Sequence, residues 1–158
     1  MKFNLLINSI DETLSLGESL VKILKKGSII TLTGDLGVGK TTFVKGFGKG
    51  LNIKEEINSP SFNILKCYFN NDGLNLYHID AYRLEGLDYD NKNVGLDEVI
   101  YGDGICVIEW PMFINEFYSN SDSLNILIER IDECKRKFTF ESDNELYKDV
   151  FTFLEGNK

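Results

Sequence analysis

Four shortages bound this 158-residue chain. Its three cysteines, Cys67, Cys106 and Cys134, form no C-x-x-C pair and leave an odd thiol, which excludes a zinc-site spacing and a disulfide framework and points to a reducing cytoplasm. Each reads as a small apolar filler. The longest apolar runs are only a few residues, too short for a bilayer, and Phe3-Asn4-Leu5-Leu6-Ile7 is followed by Asp11 and Glu12, unlike a signal peptide. No membrane association is expected. Positive charge is in deficit: the formal net charge is −8 and the pI near 4.7, which argues against direct wrapping of nucleic acid, since that relies on lysine and arginine neutralising phosphates. Any RNA would be held by a partner. Arginine is limited to Arg83, Arg130 and Arg136, too few for the arginine-bearing lid with which small-molecule kinases neutralise a transferring phosphoryl group.

Against these shortages stands one dense motif. Residues Gly34 to Thr41 read Gly-Asp-Leu-Gly-Val-Gly-Lys-Thr, a full match to G-x-x-x-x-G-K-[ST], a spacing that average residue usage produces by chance in roughly one percent of chains this long. Its context is the required one. Ser28 to Thr33 reads as a buried strand, and Phe43, Phe47 and Leu51 recur at helical spacing. A triphosphate needs many donors at short range with little side-chain bulk. Glycines 34, 37 and 39 let backbone N–H groups turn inward, and the helix starting near Lys40 adds its positive dipole end. Gly37, Val38 and Gly39 thus form the cradle, Lys40 reaches the β- and γ-phosphates, and the Thr41 hydroxyl coordinates Mg2+. Thr42 either caps the α-phosphate or is an ordinary threonine in the first helical turn. The guanine-reading N-K-x-D motif is missing, because Asn91-Lys92-Asn93-Val94 lacks the aspartate.

With 42% hydrophobic and 27% charged residues, the chain is long enough for a single domain, 1–158, with a substantial core. Phe3–Ile7 predicts a strand. Ser9-Ile10-Asp11-Glu12 predicts a capping-box start for a helix that turns Leu14, Leu20, Val21 and Leu24 inward and ends at Gly27, after Lys25 and Lys26 have complemented its dipole. Gly46, Gly48 and Gly50 weaken the helix after the loop by roughly 1 kcal/mol each relative to alanine, and either close packing or mobility accounts for them. Asn58–Asn63 is a polar loop. Ile64–Phe69 and Leu74–Asp80 flank Asn70-Asn71-Asp72-Gly73 as a hairpin. Glu85–Asn93 reads as a surface excursion without periodicity, before a short helix around Leu96, Val99 and Ile100. Ile105–Ile108 is apolar throughout, as a parallel strand covered on both faces should be, and it delivers Glu109 to its end. Leu124–Ile131 and Arg136–Glu141 predict a second hairpin, and a closing helix from about Asp143 uses Leu146, Val150, Phe153 and Leu154. The sum is an α/β fold: a mixed sheet, parallel at the nucleotide and antiparallel toward one edge, with flanking helices.

Ligands of open α/β sheets bind beyond the carboxyl ends of the strands, where Asp80 and Glu109 fall. Glu109 matches a metal-coordinating acid, direct or through water, with a solvated strand-end carboxylate as the plain alternative. Asp80 binds a metal-bound water, orients an attacking water, holds Lys40 when nucleotide is absent, or simply bonds Tyr82 or Arg83. His78, the sole histidine, reads as a packed strand residue on the same face as Asp80. The sole tryptophan, Trp110, is either a stacking surface or a core residue. Ser59-Pro60-Ser61-Phe62 lies where GTPases carry a nucleotide-sensing switch, and a simple turn is the alternative.

Taken in order, Gly34 to Thr42, Ser59-Pro60-Ser61-Phe62, His78-Ile79-Asp80-Ala81-Tyr82-Arg83 and Glu109-Trp110-Pro111 resemble the TsaE (YjeE) family, ATPases required with TsaB and TsaD for threonylcarbamoylation of the tRNA adenosine beside the anticodon, position 37. The resemblance runs from about Ser28 to Pro111 and more loosely to both ends. It implies ATP at the loop, Mg2+ at Thr41 and Glu109, a functional Asp80, Trp110 near the site or a partner surface, and docking on TsaB–TsaD, with Ser59 and Ser61 as partner or switch residues. Hydrolysis would then support repeated cycles of the assembly and be slow without partners, since Arg83 is the one arginine placed as a finger. The family's S-P-T-[FY]-T loop is Ser-Pro-Ser-Phe-Asn here, so Asn63 replaces a hydroxyl residue. The family's base pocket, between the N-terminal segment and the C-terminal hairpin, corresponds to Asp11 and Arg136.

Overall fold

Residues 1–60 and 62–156 are described by a computed structural model. In chain order the strands are β1 (Lys2–Ile7), β2 (Ile29–Thr33), β3 (Leu65–Tyr68), β4 (Leu76–Asp80), β5 (Ile105–Glu109), β6 (Ser123–Arg130) and β7 (Arg136–Glu141). The helices are α1 (Ile10–Val21), α2 (Lys40–Gly50), the single turns α3 (Tyr89–Lys92) and α4 (Leu96–Val99), and α5 (Lys148–Gly156). All seven strands join one sheet in the order β1-β7-β6-β2-β5-β4-β3. The four central strands, β6-β2-β5-β4, run parallel. β7 and β1 continue antiparallel on one side and β3 on the other, so the antiparallel strands lie at both edges rather than one.

Parallel strands are covered on both faces, and β4 and β5 are buried at every residue. Alternation divides their side chains between two apolar clusters. Ile30, Leu32, Leu76, Ile105 and Val107 pack with Phe43 and Phe47 of α2, Leu16 and Leu20 of α1, and Leu154 of α5. Ile29, Tyr77, Ile79, Cys106 and Ile108 pack with Leu96, Ile100, Ile114 and Phe117. Among the described residues no helix is long and apolar enough to cross a membrane.

Helix α1 departs from its sequence reading in two ways. Its cap forms, with Ser9 Oγ accepting the Glu12 N–H at 3.1 Å, while Glu12 reaches back to the N–H of Asn8 at 2.8 Å. Its end comes early, at Val21, so Lys25 and Lys26 lie past the last turn and do not complement its dipole. Gly27 instead serves the turn into β2, at φ +88°, donating its N–H to the Gly104 carbonyl. The buried register is Thr13, Leu16, Gly17, Leu20 and Val21, with Leu14 only half-buried, because α1 meets α2 backbone to backbone. A β-carbon on Gly17 would lie 2.3 Å from the Phe43 carbonyl oxygen, and one on Gly46 2.4 Å from that of Leu14. Gly48 and Gly50 are similarly crowded by Ile57 and Val21. Close packing, not mobility, is what the α2 glycines serve.

Elsewhere Asp88 caps the α3 turn inside the expected excursion. The buried Lys92 of that turn pairs with Glu116 at 3.0 Å. α5 begins at Lys148, after a 3-10 turn over Glu145–Tyr147, rather than near Asp143.

Gly46→Ala should therefore cost about 1–3 kcal/mol by overpacking, despite alanine's better helix propensity. Gly156→Ala, with nothing within 4 Å of the added carbon, should change stability by less than about 0.5 kcal/mol. Urea unfolding of both variants checks the difference.

Candidate functional site

The loop between β2 and α2 is shaped by its glycines. Gly34 has no room for a side chain: a β-carbon there would sit 2.6 Å from the Ile128 carbonyl oxygen. Gly37 and Gly39 adopt φ +76° and +115°, conformations that L side chains rarely take, and open space lies beside both. Helix α2 consequently starts without a side-chain cap. Among the described residues, the N–H groups of Leu36, Gly37, Gly39, Lys40, Thr41 and Thr42 have no backbone or side-chain acceptor; of this stretch only Val38 is bonded, to the Asp35 carbonyl. A row of unpaired donors at the positive end of an 11-residue helix suits a multiply charged anion.

Lys40 is 6% exposed. A buried ammonium is tolerable only when paired, and three groups meet it. Its Nζ donates to the Gly34 carbonyl at 2.7 Å, lies 3.9 Å from Glu109 Oε1, and stands 4.7 Å from the centre of the Trp110 ring. Of the roles open to Asp80, holding Lys40 falls instead to Glu109.

The acids arrive by sheet register. Asp80 of β4 is the direct partner of Glu109 of β5, and the Ala81 N–H donates to the Glu109 carbonyl, so the two strand ends are tied together. Both side chains are buried, Asp80 at 6% and Glu109 at 4% exposure. Glu109 Oε2 meets His78 Nε2 at 2.5 Å. Asp80 Oδ1 accepts the Tyr82 N–H at 3.1 Å, the structural bond weighed for it. Burial pushes the Asp80 carboxyl pKa upward; the Tyr82 N–H opposes this, Glu109 adds to it, and His78 and Lys40 oppose it. Asp80 is thus a stronger base than a solvated aspartate.

These groups surround a cavity of about 320 Å3, which Gly37, Gly39, Lys40, Thr41 and Thr42 line on one side and Ser59, Asp80, Tyr82, Glu109 and Trp110 on the other. Ser59 is exposed on its rim, whereas Ser61 lies outside the described residues. Trp110 sits at φ +57°, packed against Tyr82 and Phe113, and separates this cavity from a second of about 380 Å3 that reaches Arg130. Arg83 stands over the ring of the exposed Phe62 at 4.6 Å.

A smaller recess of about 100 Å3 adjoins the loop through Gly37, Val38, Gly39 and Thr42. Arg136 lines it, but its guanidinium is committed to backbone carbonyls, with Nε donating to Val38 at 2.9 Å and Nη1 to Asp132 at 2.7 Å. Asp11 is exposed and does not line the recess; its helix contributes Ser9, Ile10 and Thr13. Ile10 and Thr13, three residues apart, share the helix face that meets the loop, and Asp11, one residue on from Ile10, lies off that face. Lys92, paired with Glu116, does not line the recess.

The donor set fits a magnesium nucleotide. No three His, Cys, Asp or Glu side chains among the described residues converge to hold a metal alone. A magnesium ion keeps several waters and is held by one or two carboxylates together with phosphates, which the Thr41 hydroxyl, Glu109 and Asp80 around one cavity would allow.

A family model described as "Threonylcarbamoyl adenosine biosynthesis protein TsaE" matches residues 7–138, a span that holds the loop, both acids and the recess. The chain belongs to the TsaE family. It is 42% identical over 139 residues to the Bacillus subtilis tRNA threonylcarbamoyladenosine biosynthesis protein TsaE, covering 87% of this chain and 84% of that protein. The Treponema pallidum protein of the same name is 46% identical over 102 residues, 65% of this chain and 73% of its own. The crystal structure of Bacillus subtilis YdiB superposes with a TM-score of 0.79 at 34% identity, covering 99% of this chain and 96% of that one. A mixed α/β sheet with flanking helices is therefore shared with a solved structure.

In this TsaE-family chain the only tryptophan touches the loop lysine, which gives a direct readout. Lys40→Met removes the charge from the ring face and should change Trp110 emission in the absence of any ligand. Identical spectra would mean that ammonium and ring do not meet in solution.

Proposed function

We propose that this protein binds and hydrolyses ATP with Mg2+ in the loop cavity, and that this activity serves threonylcarbamoyl modification of the tRNA adenosine beside the anticodon, as a nucleotide switch acting with TsaB and TsaD. The observation that carries the ATP reading is the row of unpaired N–H groups at the uncapped start of α2, facing a lysine and two buried carboxylates across one cavity. The pathway reading rests on family membership and on the printed names of the Bacillus and Treponema relatives.

Each residue has a part that follows from its position. The unpaired amides of Gly37 and of Gly39 through Thr42 bind the phosphate oxygens and replace their hydration without any side-chain motion. Lys40, released from Gly34 and Glu109, turns its ammonium onto the terminal phosphates. Thr41 and Glu109 would hold a magnesium ion, which would supply positive charge against that developing on the phosphate oxygens, and the release of Lys40 would free Glu109 Oε1 for that purpose. Asp80, with Oδ1 fixed by Tyr82 and its basicity raised by burial, orients a water for in-line attack. The recess beside Val38 takes the base. Ser59 and its loop sense the nucleotide, and Trp110 reports Lys40's position to the surface that meets a partner. With a net charge of −8, contact with tRNA runs through the TsaB–TsaD assembly.

Single substitutions separate these parts. Lys40→Ala should weaken ATP binding roughly 10- to 100-fold, the worth of a charged hydrogen bond, as read by titration calorimetry. Glu109→Ala should raise the magnesium requirement for turnover while leaving metal-free nucleotide affinity nearly unchanged; equal effects on both would reject its metal role. Asp80→Ala should retain bound ATP and lose about 100-fold in hydrolysis, and unchanged turnover would reduce Asp80 to a structural acid.

The pathway role has its own test. In a mixture of TsaB, TsaD, the carbamoyl-adenylate source and tRNA, omission of this protein or its replacement by the Lys40→Ala variant should end multiple turnover of the modified adenosine. Undiminished multiple turnover would count against the switch.

A further inference from the structure

We infer that His78 is a positioning residue for Glu109, an imidazole that donates from Nε2 and clamps one carboxylate oxygen so that the other is presented to the cavity. The inference rests on the ATPase reading above, within which it gives the buried histidine a part.

The sheet places His78 two residues before Asp80 on β4, so both side chains leave the same face. Their direct partners on β5 are Val107 and Glu109. The ring is 0% exposed, beneath the end of the strand rather than in the cavity, and it does not line the cavity walls. It therefore does not reach a ligand and acts only through what it touches. That is Glu109: Nε2 lies 2.5 Å from Oε2, whereas Oε1 faces Lys40 Nζ at 3.9 Å. The two oxygens of one carboxylate are thus divided, one facing the protein and one facing the site.

The second ring nitrogen fixes the tautomer. His78 Nδ1 is the one buried side-chain nitrogen or oxygen among the described residues without a hydrogen-bond partner. A proton on it would be a buried N–H with no acceptor, and Nε2 would then turn a lone pair toward the carboxylate at 2.5 Å. Placing the proton on Nε2 converts that approach into a donated hydrogen bond and leaves Nδ1 a bare acceptor, the less costly orphan. The ring orientation that results has one strong bond and no competing one, so it holds the carboxylate in a single pose.

Ligand-orienting partners of this kind typically change metal affinity or activity by 10- to 100-fold when removed. Three measurements test the assignment. Because the chain has a single histidine, the imidazole 15N signals of the nucleotide-free protein belong to His78 without ambiguity. They should report a protonated Nε2 and an unprotonated Nδ1; a proton on Nδ1, with Nε2 bare or not, would overturn the proposal. His78→Phe, which keeps the ring volume and loses the donor, should leave metal-free ATP affinity within about twofold and raise the magnesium concentration for half-maximal binding roughly 10- to 100-fold. His78→Gln, whose amide nitrogen reaches the Nε2 position, should recover most of that loss. Wild-type magnesium dependence in both variants would make His78 a core filler and sink the proposal. If His78→Phe does not fold, the nitrogen spectrum of the unaltered protein still decides the tautomer. A wild-type protein that bound no ATP at all would instead remove the ATPase reading, and the 15N result would stand apart from it.

Discussion

The chemistry of this fold depends on one buried ammonium. Lys40 sits at the first position of α2, 6% exposed, where water cannot solvate it and the positive end of the helix dipole repels it. Its charge is tolerable because three groups face it, the Gly34 carbonyl from its own loop and the Glu109 carboxylate and Trp110 ring from the end of β5. The carbonyl accepts a normal hydrogen bond at 2.7 Å, whereas the one full negative charge stands at 3.9 Å, beyond hydrogen-bond length. A lysine so held is restrained but not sealed, and an anion placed over the unpaired amides competes for it with more charge at shorter range. That balance suits the proposed nucleotide switch.

The architecture serves that balance through backbone approach and sheet register. Gly17 and Gly46 let α1 and α2 touch through their main chains, which fixes where α2 begins relative to the sheet. Parallel pairing of β4 with β5 puts Asp80 opposite Glu109 with no freedom to slip, because a one-residue shift of either strand would send its acid to the other face, which the cluster around Ile79 and Ile108 occupies. Burial on both faces of the central strands thus does double duty. It supplies cohesion, and it locks the relative placement of the two carboxylates.

What the sequence made legible was whatever depends on local spacing. The strand-loop-helix at Gly34–Thr41, the capping Ser9 and the apolar run ending at Glu109 follow from neighbours within a few residues, and each appears where its pattern put it. What stayed hidden depends on register between distant strands. His78 and Glu109 are 31 residues apart, and nothing in either segment announces that one ring will clamp the other's carboxylate. The same holds for Lys40, whose partner proved to be Glu109 rather than Asp80, and for the recess beside Val38, where Ser9, Ile10 and Thr13 line the wall and Asp11 points away. The one signal available for His78 was its position two before Asp80 on a strand, which gives the face but not the partner. The early end of α1 escaped for a different reason: Lys25, Lys26 and Gly27 form a plausible helix terminus, yet after Val21 the backbone tightens into three-residue bonds, Ile23 N–H to the Leu20 carbonyl and Leu24 N–H to that of Val21.

The remaining irregularities are distributed unevenly. Among the described residues four non-glycine residues hold positive φ, and two of them, Asn52 and Tyr101, directly follow the C-caps of α2 and α4, where a left-handed residue is the ordinary way to end a helix. The other two have no such excuse. Ile64, β-branched and at φ +67°, presents its carbonyl to the Asp80 N–H; Trp110, at φ +57°, follows Glu109 and turns its ring beneath Lys40. Beside them lie the uncapped helix start, the buried lysine and the orphaned Nδ1 of His78. Each of these costs on the order of 1–3 kcal/mol, and a chain selected for stability alone would have relieved them singly by a cap, a glycine or a polar neighbour. Their convergence on the ends of β4 and β5 and the start of α2, in a fold that obeys local rules at the Ser9 cap and through both apolar clusters, is the physical argument that the groups are held there for what they bind.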